Sequence, residues 1–176
     1  KKESVLPEKG QPAQNAVASG DEIFWDWPNG RLIIDAPAFK AYVGRTAEAY
    51  RFKDGTALSD VSTPWVCWAL TSADGRPVAT AGRLNVVSVF DARNTGFAMD
   101  MTRDLSGPVN HAKAITNRGH LPVIQDPVAF TLHFPNQLEA VFRAYDFALR
   151  EFATQSLART NKLVFRGEAL FMGVLD

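Results

Sequence analysis

WVCWALTSADGRPVATAGRLNVVSVFDARNTGFAMD, residues Trp65 to Asp100, decides the fold class. Val66, Trp68 and Leu70 alternate with Trp65, Cys67, Ala69 and Thr71, and alternation at period two marks a half-buried strand. Ser72-Ala73-Asp74-Gly75 supplies a tight turn, because Asp-Gly between apolar runs is a strong hairpin signal and Gly accepts a positive φ without steric cost. A strand is expected after that turn, and then a longer one from Arg83 to Asp91. The longer strand has Leu84, Val86 and Phe90 on one face and Asn85, Val87 and Val89 on the other. Arg93-Asn94-Thr95-Gly96 is expected to close a second turn before Phe97. The whole reads as the middle of an antiparallel sheet, with no catalytic motif in it.

Working outward, Asp21 to Trp27 predicts a strand, Pro28-Asn29-Gly30 a turn, and Arg31 to Asp35 the returning partner. Lys40 to Gly44 and Ala49 to Phe52 read as short strands, and Gly44-Arg45-Thr46 and Ser59 to Pro64 as loops. Lys1 to Gly20 is polar and reads as a linker or an N-terminal arm, with a β-sandwich domain from residue 21 to 176. Met101 to Leu121 breaks the strand pattern with Gly107-Pro108, Asn110-His111, Asn117-Arg118-Gly119 and His120. It reads either as a long functional loop or as a plain surface excursion. Val128, Phe130, Leu132 and Phe134 then fall on one face of a clean strand. Lys162 to Phe165 and Ala169 to Leu175 close the sheet around a tight turn at Arg166-Gly167-Glu168.

Composition narrows the function classes. The chain has 176 residues, enough for one domain with a real core. Nineteen basic residues balance nineteen acidic ones, which argues against a nucleic-acid partner. No run approaches the ~18 apolar residues of a membrane helix. Cys67 is the single cysteine and reads as a buried small hydrophobe in mid-strand. The opening Lys1-Lys2-Glu3 reads as the start of a mature or excised fragment.

Chemistry-bearing patterns are few. His111, His120 and His133 have no metal-ligand spacing, so neither a metal centre nor any cofactor is expected. Asp100 and Asp104 with Asn110 would suit a structural calcium ion through oxygen ligands. Asp26, Asp35, Asp60, Asp91 and Asp100 lie at strand ends or turns, where Asp serves local hydrogen bonds, and no catalytic residue is nominated. Aromatics carry the stronger signal, since a sugar's C–H face stacks on Trp while its hydroxyls bond polar side chains. Trp25 and Trp27 form a same-face strip or pack into the core, and Trp68 belongs to the core. Trp65 follows Pro64 and is expected to be partly exposed, as are Tyr42 and Tyr50, with Arg45 and Arg51 near them. Arg118 and His120 are the polar ligand-binding candidates.

The order of several motifs carries a resemblance. They are Glu22-Ile23-Phe24-Trp25-Asp26, Asn29 to Pro37 (NGRLIIDAP), Asp74-Gly75-Arg76-Pro77, Asn94-Thr95-Gly96 and Pro122-Val123-Ile124. Over roughly Asp21 to Leu175, the chain resembles the C-terminal β-sandwich domain that follows the catalytic barrel in multidomain, cellulase-like glycoside hydrolases. The family's active site sits on the barrel, so the resemblance brings no catalytic residue. It implies an all-β, antiparallel, jelly-roll-like sandwich that is not an enzyme on its own. It implies a bacterial, secreted parent, extracellular or periplasmic, whose catalytic domain is one partner. Polysaccharide bound by Trp25, Trp27, Trp65, Arg118 and His120 is the other, and the alternative is a purely structural domain that packs on the barrel or a neighbouring subunit. For Leu138 to Phe152 the apolar spacing alone predicts a short helix, near 138–152, whereas the resemblance implies a strand over Ala140 to Tyr145, a turn and another strand. The flanking order fits the strands.

Overall fold

A computed structural model describes residues 16–18, 21–26, 29–46, 48–100, 114–167 and 172–176. The strands are β1 (Ala16–Ala18), β2 (Ile23–Asp26), β3 (Arg31–Ala36), β4 (Phe39–Arg45), β5 (Tyr50–Arg51), β6 (Ala57–Ser59), β7 (Trp65–Ser72), β8 (Leu84–Val89), β9 (Ala92–Thr95), β10 (Ala98–Asp100), β11 (Ala114–Asn117), β12 (His120–Gln125), β13 (Phe130–Tyr145), β14 (Glu151–Phe165) and β15 (Met172–Leu175). The chain divides into two compact units, one running to Phe90 and resuming at Pro127–Asp176, the other Asp91–Asp126.

The first unit is one 11-stranded antiparallel sheet in the order β1-β2-β3-β4-β7-β8-β15-β13-β6-β5, with β14 paired on β13. It curls so that its two ends face each other, giving an all-β, sandwich-like body. Phe52, next to β5, stacks 6.0 Å from Trp68 of β7, and Phe130 of β13 meets the same indole edge-on at 6.5 Å. The expected alternation drives this packing. Val66, Trp68 and Leu70 are buried, as are Val128, Phe130, Leu132 and Phe134. Register carries the inner face across the strands: Phe24, Ile33, Tyr42, Trp68 and Ser88 lie opposite one another in sequence from β2 to β8. Tyr42 is therefore a core residue, 3% exposed, and not the partly exposed one expected; its hydroxyl donates to the Arg45 carbonyl. Gly173 sits where a Cβ would lie 2.3 Å from the Phe142 ring and 2.6 Å from Val86, so β15 fits between β8 and β13 only without a side chain there.

Over Leu138 to Phe152 the strand, turn and strand that fit the flanking order form, and the helix that spacing alone predicts near 138–152 does not: Phe142 and Ala144 are buried while Val141, Arg143 and Tyr145 are not, because β13 is paired on both edges and period two wins over helical spacing. Several other expectations are corrected. The Asp-Gly turn is followed by a 3₁₀ turn, Val78–Thr80, in place of a strand. Asp74 organises that connection by accepting from Ser72, Arg76 and the Gly82 amide. Arg93 to Thr95 is strand, and the turn begins at Gly96. The described part of the expected long loop holds β11 and the start of β12. The expected turn at Arg166-Gly167-Glu168 lies partly outside the described residues; β14 and β15 on either side of it are on opposite edges of β13, where Phe142 pairs with Gln155 on one side and Leu175 on the other. Part of the stretch read as linker, Ala16–Ala18, pairs as an edge strand on β2.

One buried ion cluster ties the curl together. Lys40, 2% exposed, donates to Asp35 at 2.6 Å and lies 3.3 Å from Asp54 in the β5–β6 turn. Asp35 also accepts the Lys53 amide and Asp54 the Thr56 amide. Removing one member of a buried pair leaves an uncompensated charge, at a cost of about 3–5 kcal/mol. Lys40→Met is expected to lower the unfolding free energy by that order in urea titrations, and an unchanged midpoint would contradict this role.

Acid should act through a different set of groups. Hydrogen bonds hold Asp26, Asp74 and Asp146 below the ordinary carboxylate range, from Asn29, from Ser72 and from the Arg150 amide respectively. A depressed folded-state pKa contributes stability that is present above the unfolded value of about 3.9 and is lost as pH falls through the folded value. Unfolding free energy is expected to be level above about pH 5 and to drop below about pH 4. Asp74→Asn should shallow that acid limb, measured by denaturant titration at stepped pH.

Candidate functional site

The outer face of the sheet unit is the first candidate. Two rows of residues cross five adjacent strands in register. One is Trp25, Leu32, Val43, Cys67 and Val89; the next is Ile23, Ile34, Ala41, Ala69 and Val87. None of the ten carries a charge. Antiparallel sheets with one face in water normally alternate apolar-in with polar-out. Here the outer face is apolar too across β2, β3, β4, β7 and β8. The first polar groups come at the margins, Arg45 opposite Trp65, and Thr71 opposite Asn85. Trp25 is 41% exposed, Trp65 42%, and Ile23 and Val87 each 38%.

This face holds two of the candidate aromatics and one surprise. Trp65 is partly exposed, as expected, and its ring rests edge-on against Phe90 at 5.2 Å. Trp25 shares the face but stands three strands away, about 14 Å at the backbone for ~4.8 Å per strand step. Trp27 lies outside the described residues. Cys67 is exposed, against the expectation of a buried thiol. The cause is parity: odd positions of β7 face outward, opposite Val66 and Trp68.

The second candidate lies in the unit Asp91–Asp126. There β9 pairs with β12 and β10 with β11, making a two-stranded ribbon that kinks at Gly96-Phe97 and Arg118-Gly119. Gly119 is required at its kink, since φ is +69° and a Cβ would lie 2.6 Å from the Thr95 carbonyl. Arg93 clamps the base, donating to Asp91 and, in a fork at 2.9 and 3.2 Å, to Asp126. These two carboxylates, Asp126 foremost, raise the Arg93 pKa. Along the ribbon an open cleft of about 640 Å³ is lined by Asp91, Ala92, Arg93, Asn94, Phe97, Ile115, Arg118 and Val123.

Of the ligand-binding candidates, Arg118 therefore lies in the cleft. His120 is exposed beside it in sequence, with Nδ1 2.8 Å from the Leu121 carbonyl, and does not line the cleft. The five candidates are not gathered at one place. The sequence assigns Arg93 to a turn, Phe97 to the residue after it and Asp91 to a strand-end carboxylate, and brings none of the three to a site. The signal that would have found Arg93 is Asp91-Xaa-Arg93, where period two puts acid and base on one side of a strand. Among the described residues no group of three or more His, Cys, Asp or Glu could hold a metal ion. The calcium expectation at Asp100, Asp104 and Asn110 falls on side chains outside the described ones. Comparison with protein families, with curated proteins and with solved structures finds no match to this chain.

Exposure of Cys67 gives a direct check. A thiol reagent is expected to label it stoichiometrically in native buffer, without denaturant. Labelling only after unfolding would contradict the outward parity of β7.

Proposed function

We propose that this chain is a non-catalytic accessory β-sandwich module that docks through the outer face of β2, β3, β4, β7 and β8 onto a neighbouring domain. One observation carries the reading: ten uncharged positions run in register across five strands on the face opposite Ile33, Tyr42 and Trp68, with Ile23, Trp25, Cys67 and Val87 exposed and Ala41 buried among them. Water-facing sheets do not keep such a face, and exposed contiguous apolar patches mark interaction sites. The resemblance to the domain that follows a cellulase-like barrel names the natural occupant, the catalytic domain of the same parent, in a secreted or periplasmic bacterial enzyme. Packing two apolar surfaces together needs no special geometry beyond shape, which suits a fixed interdomain contact.

Carbohydrate binding is the second reading, favoured by Trp25 and Trp65 on that same side. Their separation and the apolar residues between them suit a flat, extended polysaccharide better than a single sugar ring. Few groups on the face could take sugar hydroxyls, so docking is the better supported of the two.

Two measurements separate them. In the parent protein, Cys67 labelling is expected to be strongly suppressed relative to the chain alone, and Val43→Lys with Val87→Lys should restore it. Equal reactivity in both contexts would end the docking reading. Retardation of the chain on a polysaccharide affinity gel, abolished by Trp25→Ala and Trp65→Ala, would establish the second reading instead.

A further inference from the structure

We propose that the ribbon cleft binds a carboxylate-bearing sugar, a hexuronate residue of a glycan. Two guanidinium groups line the cleft, and they differ in state. Arg93 is saturated by Asp91 and Asp126 and is a fixture of the ribbon base. Arg118 is exposed, and its guanidinium has no partner among the described residues. Its backbone, by contrast, is held on both sides. Asn94 Nδ2 donates to the Arg118 carbonyl at 3.0 Å, and Asn117 Oδ1 accepts the Gly119 amide at 2.8 Å. A fixed backbone carrying a planar fork that pairs with none of the described residues is suited to bidentate capture of a carboxylate.

The rest of the lining selects the body that carries that carboxylate. Phe97, Ile115 and Val123 supply apolar surface, and Ile115 is 57% exposed. A pyranose has a C–H-rich face to lay on such a wall and hydroxyls at its rim. Asp91 and Asn94 border the same cleft with oxygen and amide groups for those hydroxyls. The volume, about 640 Å³, falls within the range of small-ligand sites. The site is separate from the docking face, so failure of either reading leaves the other standing. It shares a ligand class with the second reading above but none of its residues.

The test is calorimetric titration of the whole chain with trigalacturonate, with the neutral cellotriose, and with benzoate as a carboxylate that lacks hydroxyls. Trigalacturonate is expected to bind at least about tenfold more tightly than either comparator, the scale of one charge-assisted fork. Its affinity should fall with added salt. Arg118→Gln and Phe97→Ala should each weaken it by about tenfold or more, with Arg118→Lys in between. Arg159→Gln, at an exposed arginine of β14, should leave it unchanged, and circular dichroism checks that each variant is folded. No binding of trigalacturonate, equal binding of cellotriose or benzoate, or binding that survives Arg118→Gln would overturn the proposal.

Discussion

One ammonium group sits between carboxylates from opposite ends of the strand order. Lys40 on β4 meets Asp35 on β3 and Asp54 in the turn between β5 and β6, beneath the Phe52 ring. Bringing these charges out of water has a large cost, and a buried ion pair is a weak source of net stability. Its effect lies elsewhere. A sheet slipped by one residue would turn Lys40 outward and strand two carboxylates in an apolar interior, so competing registers are penalised heavily. The aromatic contacts among Phe52, Trp68 and Phe130 follow once that closure is made.

Closure also explains why the two faces of the sheet have different fates. The inner face finds its partner in the other end of the same sheet. The outer face of β2 to β8 is apolar as well, and Ile23, Trp25 and Val87 on it stay about two-fifths exposed. A chain that maintains Leu32, Val43, Ala69 and Val87 on the side away from its core is built for burial in company. That logic separates this surface from the ribbon, where polar and apolar groups are interleaved around a clamped arginine.

Fold class was legible because period-two alternation is local: Val66, Trp68 and Leu70 declare their burial within six residues of chain. Helical spacing over Leu138 to Phe152 was misleading because aromatic residues occur on both sides of a turn at Asp146, and spacing cannot see the turn. Cys67 illustrates a second limit. Its outward direction follows from parity with Val66 and Trp68, whereas its residue type points inward. Tyr42 goes the other way, since its burial depends on β5, which arrives from the far end of the sheet. The ribbon was least legible: β9 and β12 pair residues some 30 positions apart, as Asn94 with Val123 does, and nothing local announces a partner at that distance.

The ends of the ribbon meet. The Asp126 amide donates to the Asp91 carbonyl at 3.0 Å, and Arg93 bridges their side chains. Residues 92 to 125 thus leave and return along the chain at two hydrogen-bonded neighbours, Asp91 and Asp126. Such a segment is modular in the evolutionary sense: it can be lengthened, exchanged or lost while the chain on either side keeps the same distance to span. Variation in recognition could therefore accumulate in this insert without disturbing the sheet that carries it.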